Sequence, residues 1–245
     1  MSPDILYDDD SEVPAMTFDA KSLVYFKHHG NMIEDYWFEN ANAFVEVDLH
    51  DEVCTWGFPL ALLADVSSVQ VLRLGGRMLE SLVGLICSGN SRLKLPMFPR
   101  LSWLHLSFSV CGGWELLPTL LISSPKLNTL VISELWDYCC RHQNWHPKLG
   151  LPSFTSDLKV IEVGSFTGKA RGLELVDYFF ENAKVLKQLI LHLEDADQHR
   201  LIHEKLLLLK SRPTSCSIVL RKHKGRKDDR NVTKTEANRF RSAKI

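Results

Sequence analysis

LKVIEVGSFTGKARGLELVDYFFENAKVLKQLIL, from Leu158 to Leu191, carries the reading of the whole chain. It opens with Leu158-x-x-Ile161-x-Val163 and closes with Leu186-x-x-Leu189-x-Leu191. Each copy ends with apolar residues two apart, the period of a strand with one buried face, and in the first copy a polar Glu162 stands between them. Between them Leu173, Val176, Phe179, Phe180 and Ala183 recur at spacings of three and four, which lays one apolar stripe along a helix. A strand, a helix and a second strand of the same kind form a unit that cannot bury its apolar face alone. Such units are stable only when stacked.

Working outward, the same pattern recurs upstream. Leu23-x-x-Phe26-x-His28 is a poor copy, and Phe44-x-x-Val47-x-Leu49 is a good one. Val69, Leu101 and Leu127 open three more. Start-to-start intervals are 21, 25, 32, 26, 31 and 28 residues. They scatter around the ~20–29 of leucine-rich repeats and describe an irregular array. The expected fold is therefore α/β: a leucine-rich-repeat solenoid, a curved parallel sheet with helices on its outer face. Helical patterns fall in the intervals, at Pro59 to Ala64, Arg77 to Cys87, Trp114 to Ile122, Leu173 to Lys184 and Gln198 to Lys210. Cys216 to Leu220 reads as a closing strand. Gly75-Gly76 and Gly112-Gly113 read as turns ahead of helices, and Trp136 to Pro152 as a long loop.

Apolar residues make up 45% and charged residues 24% of the 245, which predicts a folded core rather than wholesale disorder. The net charge of −1 hides an asymmetry. Residues 221–245 hold ten Lys/Arg against three Asp/Glu, so the remainder carries −8. Residues 1–17, with Asp8, Asp9, Asp10 and Glu12, read as a loosely ordered acidic segment. The N-terminal residues show neither a basic nor an apolar signal region, and no apolar run approaches the ~20 residues of a membrane span. A cytoplasmic or nuclear protein is expected, with no membrane partner and with Cys54, Cys87, Cys111, Cys139, Cys140 and Cys216 reduced.

The last third resembles the FBD region of plant F-box/leucine-rich-repeat proteins. The resemblance rests on Leu158 to Gly168, on Glu174 to Lys187 with its Glu181-Asn182-Ala183 block, and on Leu206 to Leu220 with Arg212-Pro213 and Cys216. Upstream, Phe98-Pro99-Arg100-Leu101 and Ser124-Pro125-Lys126-Leu127 are similar to the same family's repeat entries. The expected organisation is an acidic segment at 1–17, irregular repeats at 18–149, an FBD-like region at 150–220 and a basic tail at 221–245. The resemblance implies recognition of a target protein, as in the substrate-reading part of an SCF-type ubiquitin ligase. Family members usually begin with an F-box, and none is recognised here. Binding of a Skp-type adaptor and cullin is therefore not expected of these residues. A stand-alone scaffold or competitor for the same targets is the alternative.

Residues flanking the second apolar position of each copy face away from the core. Asp48, Arg73, Trp103, His105 and Glu162 are the protein-binding candidates, with Trp103, Arg73 and His105 as the expected anchor group because Trp and Arg dominate interface energetics. No catalytic constellation can be assembled from Ser, His, Asp and Cys scattered over separate repeats, so no enzyme and no cofactor is expected. His142 and His146 have metal-compatible spacing, but the adjacent Cys139 and Cys140 do not, so no metal is expected. The tail holds one aromatic residue, Phe240, too few for base stacking; nucleic acid is a second alternative and is not favoured.

Overall fold

The computed structural model describes residues 15–30, 35–51, 59–76, 78–79, 81–82, 94–108, 116–133, 157–209 and 215–222. Eight strands form one parallel sheet: β2 (Tyr25–Gly30), β4 (Glu46–Asp51), β5 (Val71–Gly76), β6 (Trp103–Phe108), β7 (Thr129–Ile132), β8 (Val160–Phe166), β9 (Gln188–Leu193) and β10 (Ser217–Lys222). They pair in that order, each with its next neighbour along the chain. The remaining strands, β1 (Ala15–Asp19) and β3 (Asp35–Glu39), form a second parallel pair. Four α-helices have defined bounds among the described residues: α1 (Pro59–Asp65), α2 (Leu117–Ser123), α3 (Ala170–Asn182) and α4 (His199–Leu207).

The repeat is built twice over, by side chains and by backbone. Inward residues align strand by strand: Val47, Leu72, Leu104, Leu130, Ile161 and Leu189 form one buried row, and Leu49, Leu74, Leu106, Ile132, Val163 and Leu191 a second. Ahead of six of the eight strands a turn closes onto the first apolar residue of the copy. The N–H groups of Leu23, Phe44, Val69, Leu101, Leu127 and Leu186 donate to the carbonyls of Ala20, Ala41, Val66, Phe98, Ser124 and Ala183, at 3.0–3.4 Å. The next residue then links the coils. The carbonyls of Val24, Val45, Gln70, Ser102, Asn128 and Lys159 each accept two N–H bonds from the following repeat. The turns thus lose few backbone partners on leaving water, which a buried connection otherwise would.

The helices lie on the inward side. Leu62 and Leu63 of α1, Leu117, Leu120 and Leu121 of α2, Val176, Phe179 and Phe180 of α3, and Ile202 and Leu206 of α4 join the same core cluster as the inward strand residues. Pro118 in the first turn of α2 sacrifices no helical hydrogen bond. At its other end Ser124, which precedes Pro125, leaves helical conformation at φ −122°, ψ 68°.

Three expectations need correction. The chain is already a strand at Ala15, inside the segment read as loosely ordered, and β1 and β3 were not legible as strands. In the first two coils the back of the repeat is therefore a strand rather than a helix. Phe18 stacks on Phe38 at 5.7 Å, and Phe38 meets Phe26 and Phe44 edge-on at 4.9 and 5.2 Å, which fills the space between the two sheets. Helix α1 follows β3 on this back surface: Asp65 accepts the N–H of Phe38 at 3.3 Å, a donor that a third strand would have used. Gly75 and Gly76 belong to β5 rather than to a turn. Finally, the helices are displaced from their expected bounds: α3 starts three residues earlier, at Ala170, and α2 three later, at Leu117. The Trp136–Pro152 loop, the Gly112-Gly113 turn, the cysteine–histidine group at 139–146 and the tail beyond Lys222 lie outside the described residues. Of the expected helix at 77–87, residues 78, 79, 81 and 82 are described, and they are helical.

Candidate docking face of the sheet

On the face turned away from the helices the register produces rows of aligned side chains. The first row runs Tyr25, Glu46, Val71, Trp103, Thr129, Val160, Gln188 and Ser217. The second runs Lys27, Asp48, Arg73, His105, Val131, Glu162, Ile190 and Val219. All five candidates named from the sequence stand in these two rows. Strand neighbours about 4.8 Å apart bring them into contact.

The N-terminal half of the face is a network of matched charges and rings. Asp48 forms an ion pair with Lys27 at 3.4 Å and lies 3.3 Å from Nε2 of His29. The guanidinium of Arg73 donates through Nη1 to Glu46 and lies over the Trp103 ring, 4.7 Å from its centroid. Trp103 in turn packs against His105, with ring centroids 5.7 Å apart, and His105 is hydrogen-bonded to the Ser133 hydroxyl. Burial first, then the carboxylates of Asp48 and Glu46, raise the Tyr25 phenol above its ordinary pKa; Arg73 opposes the shift. The C-terminal half is more apolar, with Val131, Val160, Ile190 and Val219 near the hydrogen-bonded pair of Glu162 and His192 and the uncharged Thr129, Gln188 and Ser217.

Three of the five candidates differ from the expectation in one respect. Trp103 is 5% exposed, Asp48 6% and Arg73 9%. Large side chains on adjacent parallel strands shield one another, so the expected anchor group is largely a supporting layer. His105 and Glu162 are only partly buried and remain reachable, as do Tyr25 and Lys27.

A third row escaped the sequence reading. His29 and His50 are register partners with rings 5.2 Å apart, Gly75 and Ser107 continue the row, and His192 partners Arg221 at its far end. The signal was present: Lys27-x-His29, Asp48-x-His50 and Ile190-x-His192 extend the alternation by two residues past the six-residue pattern. Gly75 makes room for the imidazole of His50, since a Cβ at Gly75 would lie 2.2 Å from its Nδ1. Among the described residues no group of three or more His, Cys, Asp or Glu is arranged to hold a metal, and no helix is long and apolar enough to cross a membrane.

Stacked coils of this kind, with one face filled by helices and the other left to side-chain rows, define an α/β repeat protein with a large parallel sheet. Residues 148–191 match the FBD family. The chain is 32% identical over 160 residues to an FBD-associated F-box protein of Arabidopsis thaliana, covering 64% of this chain and 34% of that protein. It is 25% identical over 199 residues to an F-box/LRR-repeat protein of the same plant, covering 73% and 42% of the two chains. A putative F-box/FBD/LRR-repeat protein, again from Arabidopsis thaliana, is 29% identical over 204 residues, covering 73% and 39%. The chain is a relative of the plant FBD-associated F-box/LRR-repeat proteins. It spans between about a third and a half of the length of these relatives. No solved structure matches.

Proposed function

We propose that this chain is a protein-recognition module, in which the repeats form a leucine-rich solenoid and the face of the sheet opposite the helices receives another protein. The observation that carries the reading is the run of eight parallel strands, whose register through the first two outward positions sets polar and aromatic side chains in straight rows on that face. Ion pairs and ring contacts hold Glu46, Arg73 and Trp103 in place beneath the reachable groups, so little side-chain freedom remains to be lost on binding. By its relation to F-box/LRR-repeat proteins, the chain reads targets for an SCF-type ubiquitin ligase in the cytoplasm or nucleus. The reading assigns no catalytic residue.

The test compares the tagged wild type with a His105→Ala/Val131→Lys variant as bait in plant extract, with captured proteins quantified by mass spectrometry. The expected result is a set of proteins held by the wild type and lost from the variant, with both melting alike. The same set on both baits rejects this face as the docking surface. Recovery of a Skp-type adaptor and cullin with the wild type supports the ligase role; targets captured without them favour a stand-alone scaffold.

A further inference from the structure

Outside the rows of the face, basic side chains collect on the rim where β6 to β9 begin. Arg100 and Lys126 sit in the turns just ahead of Leu101 and Leu127, and Lys184 in the turn ahead of Leu186. Lys159 and Lys187 occupy the linking position between coils. The N–H of Lys159 donates to Asn128 and that of Lys187 to Lys159, both at 2.9 Å, so the two lysines are immediate neighbours across the sheet. Arg100, Lys126, Lys184 and Lys187 are exposed and Lys159 is partly buried. None of the five takes part in an ion pair among the described residues. Asp157 is the one acidic residue in the described parts of these turns.

This rim differs from the face beside it. There Lys27 is matched by Asp48 and Arg73 by Glu46. Here Arg100 and Lys126 hold matching positions of neighbouring coils, as do Lys159 and Lys187, about 4.8 Å per step, with Asp157 the one acidic residue among them. A row of cations fixed at mutual cost gains most from an anionic partner that spans several strands.

We infer that the rim of β6 to β9 binds an acidic, Asp/Glu-rich segment of a partner protein. The inference rests on the reading that the chain recognises a protein, and it adds the charge of what is recognised. A nucleic acid fits less well. Phe98, the aromatic residue in the described parts of these turns, is buried and offers no surface for base stacking.

The experiment uses the full chain with the basic residues between 223 and 245 changed to Gln, so that the tail cannot supply the binding. A fluorescein-labelled oligo-glutamate peptide is titrated and followed by anisotropy, with a neutral Gly/Ser peptide and an oligo-thymidylate strand as comparisons. The rim variant is Lys126→Glu/Lys159→Glu/Lys187→Glu, and the Lys→Gln version of the same three guards against loss of folding. Oligo-glutamate should bind more tightly than the neutral peptide, weaken by about tenfold or more in both rim variants, and keep its affinity in His105→Ala/Val131→Lys. Equal affinity in wild-type and rim-variant proteins overturns the inference. So does tighter, rim-dependent binding of oligo-thymidylate. Failure here with face-dependent capture from extract intact leaves the docking reading standing; rim binding with capture indifferent to His105 and Val131 rejects that reading alone.

Discussion

His192 on β9 donates its Nε2 proton to Oε1 of Glu162 on β8, 2.6 Å away, joining the second row of the face to the third. This hydrogen bond holds the Glu162 carboxyl below its ordinary pKa of 4.5; burial pushes the other way, and the charges of His192, Arg221 and His105 reinforce the lowering. A group whose pKa is lower in the folded state stabilises the fold above its unfolded pKa and loses that contribution as pH falls through the folded value. In Glu162→Gln the stability difference from wild type should therefore be largest at neutral pH and shrink as pH drops below 4.5. Urea denaturation across that range measures it. A difference that stays constant would mean that Glu162 gains nothing from its ionised partner contacts.

Two glycines on the face make opposite demands. A Cβ at Gly164 would lie 1.8 Å from the backbone oxygen of Ser133, and a backbone cannot step aside. Gly164→Ala should cost about 1–3 kcal/mol through forced overpacking. At Gly75 the obstacle is the His50 ring, a side chain that can rotate away. Gly75→Ala should cost less than about 1 kcal/mol while removing the contact between His50 and His29. Chemical denaturation ranks the pair, and equal losses would contradict this geometry.

Arg73 is bracketed by Glu46 and the Trp103 ring while itself 9% exposed. Removing Glu46 strands a buried guanidinium, so Glu46→Ala should cost about 2 kcal/mol, discounted from the fully buried case because Glu46 is partly exposed. Removing both residues should cost less than the sum of the single changes, with a coupling of about 1–2 kcal/mol in a double-mutant cycle. Strict additivity would show that the pair contributes nothing beyond its separate residues.

The inward rows make the simplest prediction. Leu104 and Leu189 are fully buried in the middle and later coils. Leu104→Ala and Leu189→Ala should each cost about 2–5 kcal/mol, the spread reflecting how far each site collapses around the cavity. A thermal melt unmoved by either would remove both from the core.

Much of the architecture was legible because its unit is short. Alternation decides which face a strand residue takes, and it acts over five or six residues. Val71 and Arg73 could thus be separated from Leu72 and Leu74 without any knowledge of neighbouring strands. The recurrence of the copies, each with room for a crossover between, then implied the parallel order that the sheet adopts. What escaped was whatever depends on the next coil. Asp48 meets His29 across 19 residues and Glu162 meets His192 across 30, and no local pattern pairs them. The burial of Trp103 and Arg73 escaped for the same reason: both residues are polar or amphipathic at outward positions, and only their neighbours decide how much water reaches them.

Phe-Glu-Asn-Ala marks the boundary between the two kinds of knowledge. The tetrapeptide occurs at 38–41 and again at 180–183. By itself it determines the turn that follows, since Ala41 and Ala183 both accept the N–H of the residue three further on, from Phe44 and Leu186. It does not determine what precedes that turn. Phe38 and Glu39 end a strand paired with β1, and Asn40 turns to φ +56°. Phe180, Glu181 and Asn182 end helix α3, with the Asn182 amide donating to the Tyr178 carbonyl at 2.8 Å. The sequence alone set the repeating turn, the inward rows and the outward rows, because each is fixed within a few bonds of its own residues. The tertiary structure decided whether the back of a coil is strand or helix, because a strand needs a second edge to satisfy its backbone and a helix satisfies its own.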